Sequence, residues 1–401
     1  MRSLYILLIF VVASRSLYAT TITSNTNSTF DVLTYGAIGD GQTDDSNAFL
    51  KAFHDVCGTI EGTRTMTIPN GKTFLLQPLS FNGPCKPGTI TIEIKGSITA
   101  PKDVKLWKFS SDRKNVWIRF SEINDLIVNG KGDIDGQGSS WWLRYPGDQD
   151  RPTALQFLGC QDLKLNDLTH RNSPRNHISI DTCKGAFISN LHIIAAPTSP
   201  NTDGIDISQS SNVFITNSFI GTGDDCIAIN SGSRFINITG VFCGPGHGIS
   251  VGSLGKNGAF STVEQVYVRN CTFTRTSNGA RIKTFTGGSG YARNIKYEDI
   301  TLVEVENPVY INQNYIPVQD SAVEVSDVTF SNIHGTSTGK YAVELLCEPN
   351  IGCTDIVLNN INIKPISGGE ALVSCSNAHG RCTSCVPNVL CLSQNNGTIV
   401  Y

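Results

Sequence analysis

The sequence predicts an all-β chain wound as a right-handed, single-stranded parallel β-helix, closed at its N-terminal end by a short helix. Three observations carry this reading. Short stretches alternate β-branched and polar residues at period two, which turns one face of each strand inward; HISID (177–181), GIDIS (204–208), CIAIN (226–230) and GISVG (248–252) show the unit. The last three begin 22 residues apart, at 204, 226 and 248, and a repeat in the low twenties built of several short strands is a solenoid signature. Partner strands such as NVFITNSFI, FINITGVF and VEQVYVRNCTF lie between them, broken by Asn, Gly, Ser and Asp, with almost no helical periodicity after about residue 109. Propeller repeats are about twice as long and leucine-rich repeats require a Leu/Asn consensus that is absent here. A β-sandwich carries no such register.

The remaining elements fit the same plan. ARIKT (280–284), VYINQ (309–313) and AVELL (342–346) continue the series with longer insertions. DDSNAFLKAFHDVC (44–57) is the one strongly helical stretch, with Ala48, Phe49, Ala52, Phe53 and Val56 at three- and four-residue steps. It is suited to cap an open β-helix end, with Asp44 and Asp45 at the helix N-terminus. The Cys-rich tail is expected to close the other end. Residues 1–19 have a basic start, an apolar core and small residues near Ala19, so they read as a secretory signal peptide. A short segment, 20–29, then precedes one domain spanning 30–401, with no Pro/Ser-rich linker inside it.

Export is the shared implication of two further features. Asn27, Asn237, Asn270 and Asn396 head glycosylation sequons, and 13 cysteines suit an oxidising compartment. An odd count leaves at least one thiol free or paired between chains; Cys160, Cys183 and Cys271 lie within strands and read as buried thiols. The C-x-x-C at Cys382–Cys385 sits in the tail and reads as a staple, not a metal motif. The formal charge is −3, and losing Arg2 and Arg15 with the signal makes it −5. That balance disfavours nucleic acid and exerts no long-range pull on a polyanion. No cofactor, metal or membrane partner is called for, and the secreted chain is expected to act as a monomer.

The doublet Asp224-Asp225 is the chemical signal. Unlike Asp44-Asp45 it precedes a strand, so capping does not explain it. Asp203, Asp225 and His247 each stand one residue before a repeat unit, and 203 + 22 = 225, 225 + 22 = 247. In a coil of that period they stack at steps of about 4.8 Å, with Asp224 in the same loop. On the next rung Arg281 and Lys283, two residues apart, point to one face. A polar ladder would have no use for stacked carboxylates beside two cations. Clustered carboxylates push at least one pKa up, so acid and base can coexist. That is the equipment of glycosidic chemistry, and neighbouring cations suit a uronic-acid sugar.

NTDG (201–204), GDDC (223–226), GHGISVGSLG (246–255) and RIK (281–283), in this order and spacing, resemble the four signatures of the polygalacturonase family of glycoside hydrolases. FDVLTYGAIGDGQTDD (30–45) and GDIDGQGSSWW (132–142) resemble its plant members, and the similarity runs from about residue 30 to 390. The resemblance implies hydrolysis of α-1,4-linked galacturonan in pectin at the cell wall, by single displacement with inversion and without a metal. It implies Asp224 as general acid, Asp203 and Asp225 as the carboxylates that activate water, and His247 as the group that helps set the acid's protonation. Arg281, Lys283, Asn201 and Tyr315 are then substrate-binding positions. It also implies a Cys226–Cys243 disulfide bracing the catalytic loop, then Cys347–Cys353, Cys375–Cys382 and Cys57–Cys85. Departures at Ala280, Phe285 and Ile316 bear on subsite preference more than on hydrolysis. Endo-cleavage is favoured over exo-cleavage; a calcium-dependent lyase or a silent pectin-binding protein are the competing readings.

Overall fold

The computed structural model describes residues 28–60, 62–109, 115–145, 151–315 and 322–392. The signal segment and the sequons at Asn27 and Asn396 fall outside these residues, as does Ile316. No described helix is long and apolar enough to cross a membrane.

Alternation of inward aliphatic and outward polar side chains builds the chain into a right-handed parallel β-helix. Eleven strands, from Leu79–Asn82 through Ile178–Asp181, Ile205–Ser208, Ile227–Ile229, Ile249–Leu254 and Asn278–Thr284 to Leu372–Ser376, form one parallel sheet. Twenty-one strands form the remaining wall. In the C-terminal half, single long strands such as Phe260–Thr274 and Ser289–Val305 turn the corner between faces without a break.

The core is a set of ladders along the axis. Ile180, Ile207, Ile229, Val251, Ile282, Ile311 and Leu345 pair in register on seven successive coils, all fully buried. The stacked rings of Phe81, Phe120 and Phe157, 4.9 and 5.3 Å apart, lead into this column. Each such side chain contributes about 1.5–3 kcal/mol of burial. The coils turn on residues in the left-handed conformation, mostly Asn and Asp, which tolerate it best. At Gly240 (φ 68°) a Cβ would lie 2.7 Å from Asn217 Oδ1, so glycine continues a row where a larger residue would collide.

Helix α1 (Ser46–Gly58) covers the N-terminal end, burying Ala48, Phe49, Ala52, Phe53 and Val56. Phe49 packs edge-on against Phe74 at 5.4 Å and Phe53 against Phe81 at 4.7 Å. Only one of the two aspartates caps it. Asp44 accepts from the Ser46 amide at 3.1 Å, whereas Asp45 turns back to the amides of Ile38 and Gly39. Asp45 sits at φ −89°, ψ 2°, outside the extended geometry that aims an N-cap side chain into the helix.

Disulfides Cys57–Cys85, Cys226–Cys243 and Cys347–Cys353 form as expected. The expected Cys375–Cys382 bridge does not. Cys375 pairs with Cys391 and Cys382 with Cys385. Cys382 and Cys385 lie in register with the inward-facing Leu358 and Ile361, on either side of left-handed Ser384, so they share one end of the core. Cys375 lies on the other sheet, within reach of the Leu390–Leu392 turn, which buries Leu392 and seals the C-terminal end. Cys160, Cys183 and Cys271 are free and buried.

Candidate active site

The 22-residue register puts the acidic residues on one edge of the eleven-stranded sheet. Ile205 pairs with Ile227 and Ile227 with Ile249, and the amides of Gly204 and Cys226 donate to the carbonyls of Asp225 and Gly248. Asp203, Asp225 and His247 therefore stand on three consecutive coils. The loop carrying Asp224 is drawn in tightly: a Cβ on Gly223 would meet Ser199 O at 1.9 Å, and one on Gly246 would meet Asp224 O at 2.7 Å. The Cys226–Cys243 bridge fixes the same loop from below.

Asp225, 1% exposed, is the hub. Its Oδ1 accepts from Arg281 Nη2 at 2.5 Å and Ser250 Oγ at 2.9 Å, and its Oδ2 accepts from Lys283 Nζ at 2.9 Å. Arg281 Nε also donates to Ser250 Oγ at 2.8 Å. Both cations are buried, so in this structure they clamp the protein's own carboxylate. Asp224 pairs with His247, whose Nδ1 lies 2.8 Å from Asp224 Oδ1; the same oxygen accepts from the Asp225 amide.

The carboxylates differ in electrostatics. Burial, then the charges of Asp206, Asp224 and Asp225, raise the Asp203 pKa well above the usual range. Burial likewise pushes Asp206 up to about 7, against a lowering contribution from Arg175. For Asp224 burial also opposes ionisation, but the hydrogen bond and charge of His247, with Lys283, outweigh it and hold the group below its ordinary value. Atoms of Asp224, Asp225 and His247 lie within 4.8 Å of one another, close enough to share a divalent cation. Arg281 and Lys283 already occupy the oxygens of Asp225, however, so the set fits a metal poorly.

Asp203, Asp206, Asp224, Asp225, His247, Asn201, Arg281, Lys283 and Tyr315 all line one groove of about 360 Å³. Asn201, at φ 50°, is held by Arg151 Nη2, which donates to its Oδ1 at 2.6 Å. Tyr315 is 43% exposed, with its ring 5.6 Å from Lys283 Nζ and 5.4 Å from the Phe285 ring. Sequence reasoning missed Asp206 and Ser250. The signal was available: 206 + 22 = 228 and 228 + 22 = 250, and the structure aligns Asp206, Ala228, Ser250 and Arg281 in one outward row.

Two consequences can be measured. Asp206 carries a folded pKa above its unfolded value of about 3.9, so its contribution to stability is present at low pH and is lost as pH rises through about 7. The melting temperature of Asp206→Asn relative to wild type should thus rise between pH 4 and pH 8 by on the order of 5 °C. A constant difference would contradict this. Replacing Cys226 and Cys243 together by alanine opens a loop with a sequence separation of 17 and should cost about 3 kcal/mol in denaturant unfolding.

Fold and groove together are those of a hydrolase built on a β-helix. The sequence profile of the glycosyl hydrolases family 28 matches residues 57–385, and the chain belongs to that family. It is 49% identical to a probable polygalacturonase of Arabidopsis thaliana, over 94% of this chain and 83% of that protein. It is 39% identical to polygalacturonase-2 of Solanum lycopersicum, over 87% and 78%. Among solved structures it resembles an endo-xylogalacturonan hydrolase from Aspergillus tubingensis, with TM-score 0.77, 27% identity and coverage of 90% and 99%. A polygalacturonase from Erwinia carotovora shares the fold at TM-score 0.73 and 23% identity, covering 88% and 96%.

Proposed function

We propose that this enzyme is a secreted polygalacturonase that hydrolyses α-1,4-D-galacturonosidic bonds of pectin with inversion, acting within the chain at the plant cell wall. The observation that carries the reading is the pairing of two unlike carboxylates in one groove: Asp225 clamped by two cations, and Asp224 hydrogen-bonded to His247. The names of the plant relatives support the substrate. Asp224 gives its proton to the leaving oxygen. A proton shared by Asp224 and His247 can lie on either atom of the 2.8 Å contact, so His247 serves as the reserve from which Asp224 is protonated. Asp225, with Asp203 beside it, takes the proton of the water that attacks the anomeric carbon from the opposite face.

The remaining donors of Lys283 and Arg281, with Asn201 and Tyr315, face a bound uronate. In support of internal cleavage, a second depression of about 410 Å³, lined by Pro245, Gly246, Arg275 and Glu306, shares His247 with the acidic groove. A polymer thus has room on both flanks of the acid. Polygalacturonate should give a ladder of oligomers at early times in sized product analysis. Monogalacturonate alone would mean exo-cleavage. Unsaturated products absorbing in the ultraviolet would instead point to a lyase.

A further inference from the structure

Away from the groove, one outward row of the larger wall carries exposed aromatic rings. Register places Lys164, Phe187, Phe214, Asn237 and Tyr267 side by side on five consecutive coils. Phe187 and Phe214 are 47% and 42% exposed and line a depression of about 480 Å³. Exposed rings in contiguous rows are costly on a soluble surface unless something covers them. In this row the residue following Phe214 is Asn237, the acceptor of the sequon Asn237-Ile238-Thr239. Ile236 and Ile238 point inward, so Asn237 points out, between Phe214 and Tyr267. Thr239 Oγ1 donates to Asn237 Oδ1 at 3.4 Å, whereas Nδ2 makes no hydrogen bond among the described residues.

We propose that the glycan attached at Asn237 in the secretory pathway folds back over Phe214 and Phe187 and is the partner of this aromatic row. Attachment forms a bond from Asn237 Nδ2 to the anomeric carbon of the first N-acetylglucosamine. The bond from that carbon to its lipid pyrophosphate carrier breaks, the pyrophosphate leaves with the electron pair, and Nδ2 gives up one proton. The apolar C–H face of a pyranose then lies against the electron-rich ring faces, one and two coils, about 4.8 and 9.6 Å, from its anchor. Tethering makes the contact intramolecular, so a weak stacking interaction suffices. The second sequon within the described residues serves as a control: Asn270 is exposed at a left-handed turn, and its neighbours Arg269 and Cys271 pair with Glu298 and Ile300, not with rings.

The test uses the full chain secreted from a glycosylating host. Peptide mass spectrometry should find a glycan on Asn237. Asn237→Gln and Thr239→Ala, which remove the sequon in different ways, should each lower the melting temperature by about 2 °C or more. The same changes in a Phe187→Ser/Phe214→Ser background should have no effect, and Asn270→Gln should be indifferent to that background. An unmodified Asn237, or an equal loss with and without the two rings, would overturn the proposal. So would binding of galacturonate oligomers to the row of the intact glycoprotein, abolished by the two Phe changes.

Discussion

Replacing Asp224 by asparagine is expected to lower kcat on polygalacturonate by about 10²–10⁴-fold, the usual range for losing a general acid. Asparagine keeps the size and an acceptor oxygen, so the contact from His247 Nδ1 and the tight turn between Gly223 and Gly246 survive. The melting temperature should stay within about 2 °C of wild type, because the Asp224–His247 pair is only partly buried and its hydrogen bond is kept. Reducing-end release on the purified, folded variant is the readout. Activity near wild type would remove Asp224 from the chemistry. His247→Ala should slow the reaction less and displace the pH profile, since the reserve proton is lost while the acid remains.

Arg281→Met should produce the largest loss of stability. It removes one of the two cations clamping a carboxylate that is 1% exposed, leaving Asp225 buried and under-compensated. Breaking a buried pair from one side costs about 3–5 kcal/mol. Adding Asp225→Asn to Arg281→Met should recover much of that stability and none of the activity, because the stranded charge is gone but the base is too. Lys283→Met with the same rescue should behave alike, as Lys283 holds the other oxygen at 2.9 Å. Denaturant unfolding of the single and double variants measures the coupling. Additive effects would mean that the clamp is not a unit.

The site was legible wherever the repeat was regular. The steps from Ile205 to Ile227 and from Ile227 to Ile249 are both 22 residues, and the structure pairs those residues. That regularity brought Asp203, Asp225 and His247 together without coordinates. Elsewhere the step varies: Ile178 pairs with Ile205, Ile249 with Ala280, Ala280 with Val309 and Val309 with Val343, that is 27, 31, 29 and 34 residues. Near the N-terminus Phe30, Met66, Ile92 and Val128 stack at steps of 36, 26 and 36. No period marks these coils, so the repeat is readable only from about residue 109, although parallel pairing is already present at Ser28–Asp31. Its inward positions tolerate any apolar residue of suitable size, and loops of any length can leave the corners.

Side-chain partnerships were less legible than positions. The row holding Arg281 was clear, but its engagement with Asp225 depends on Ser250, an ordinary residue whose role appears only once three coils are stacked. The C-terminal disulfides failed for a related reason. The family resemblance implied Cys375 with Cys382, whereas the winding puts them on different sheets and brings Cys391 to Cys375.

The anomeric form of the first product tests the account most directly. Proton NMR of the reducing ends released in the first minutes, before mutarotation, distinguishes a one-step from a two-step displacement. With Asp225 activating water and Asp224 donating the proton, an α-linked galacturonan must yield the β-anomer first. An initial α-anomer would require a covalent intermediate on one of these carboxylates and would contradict the mechanism.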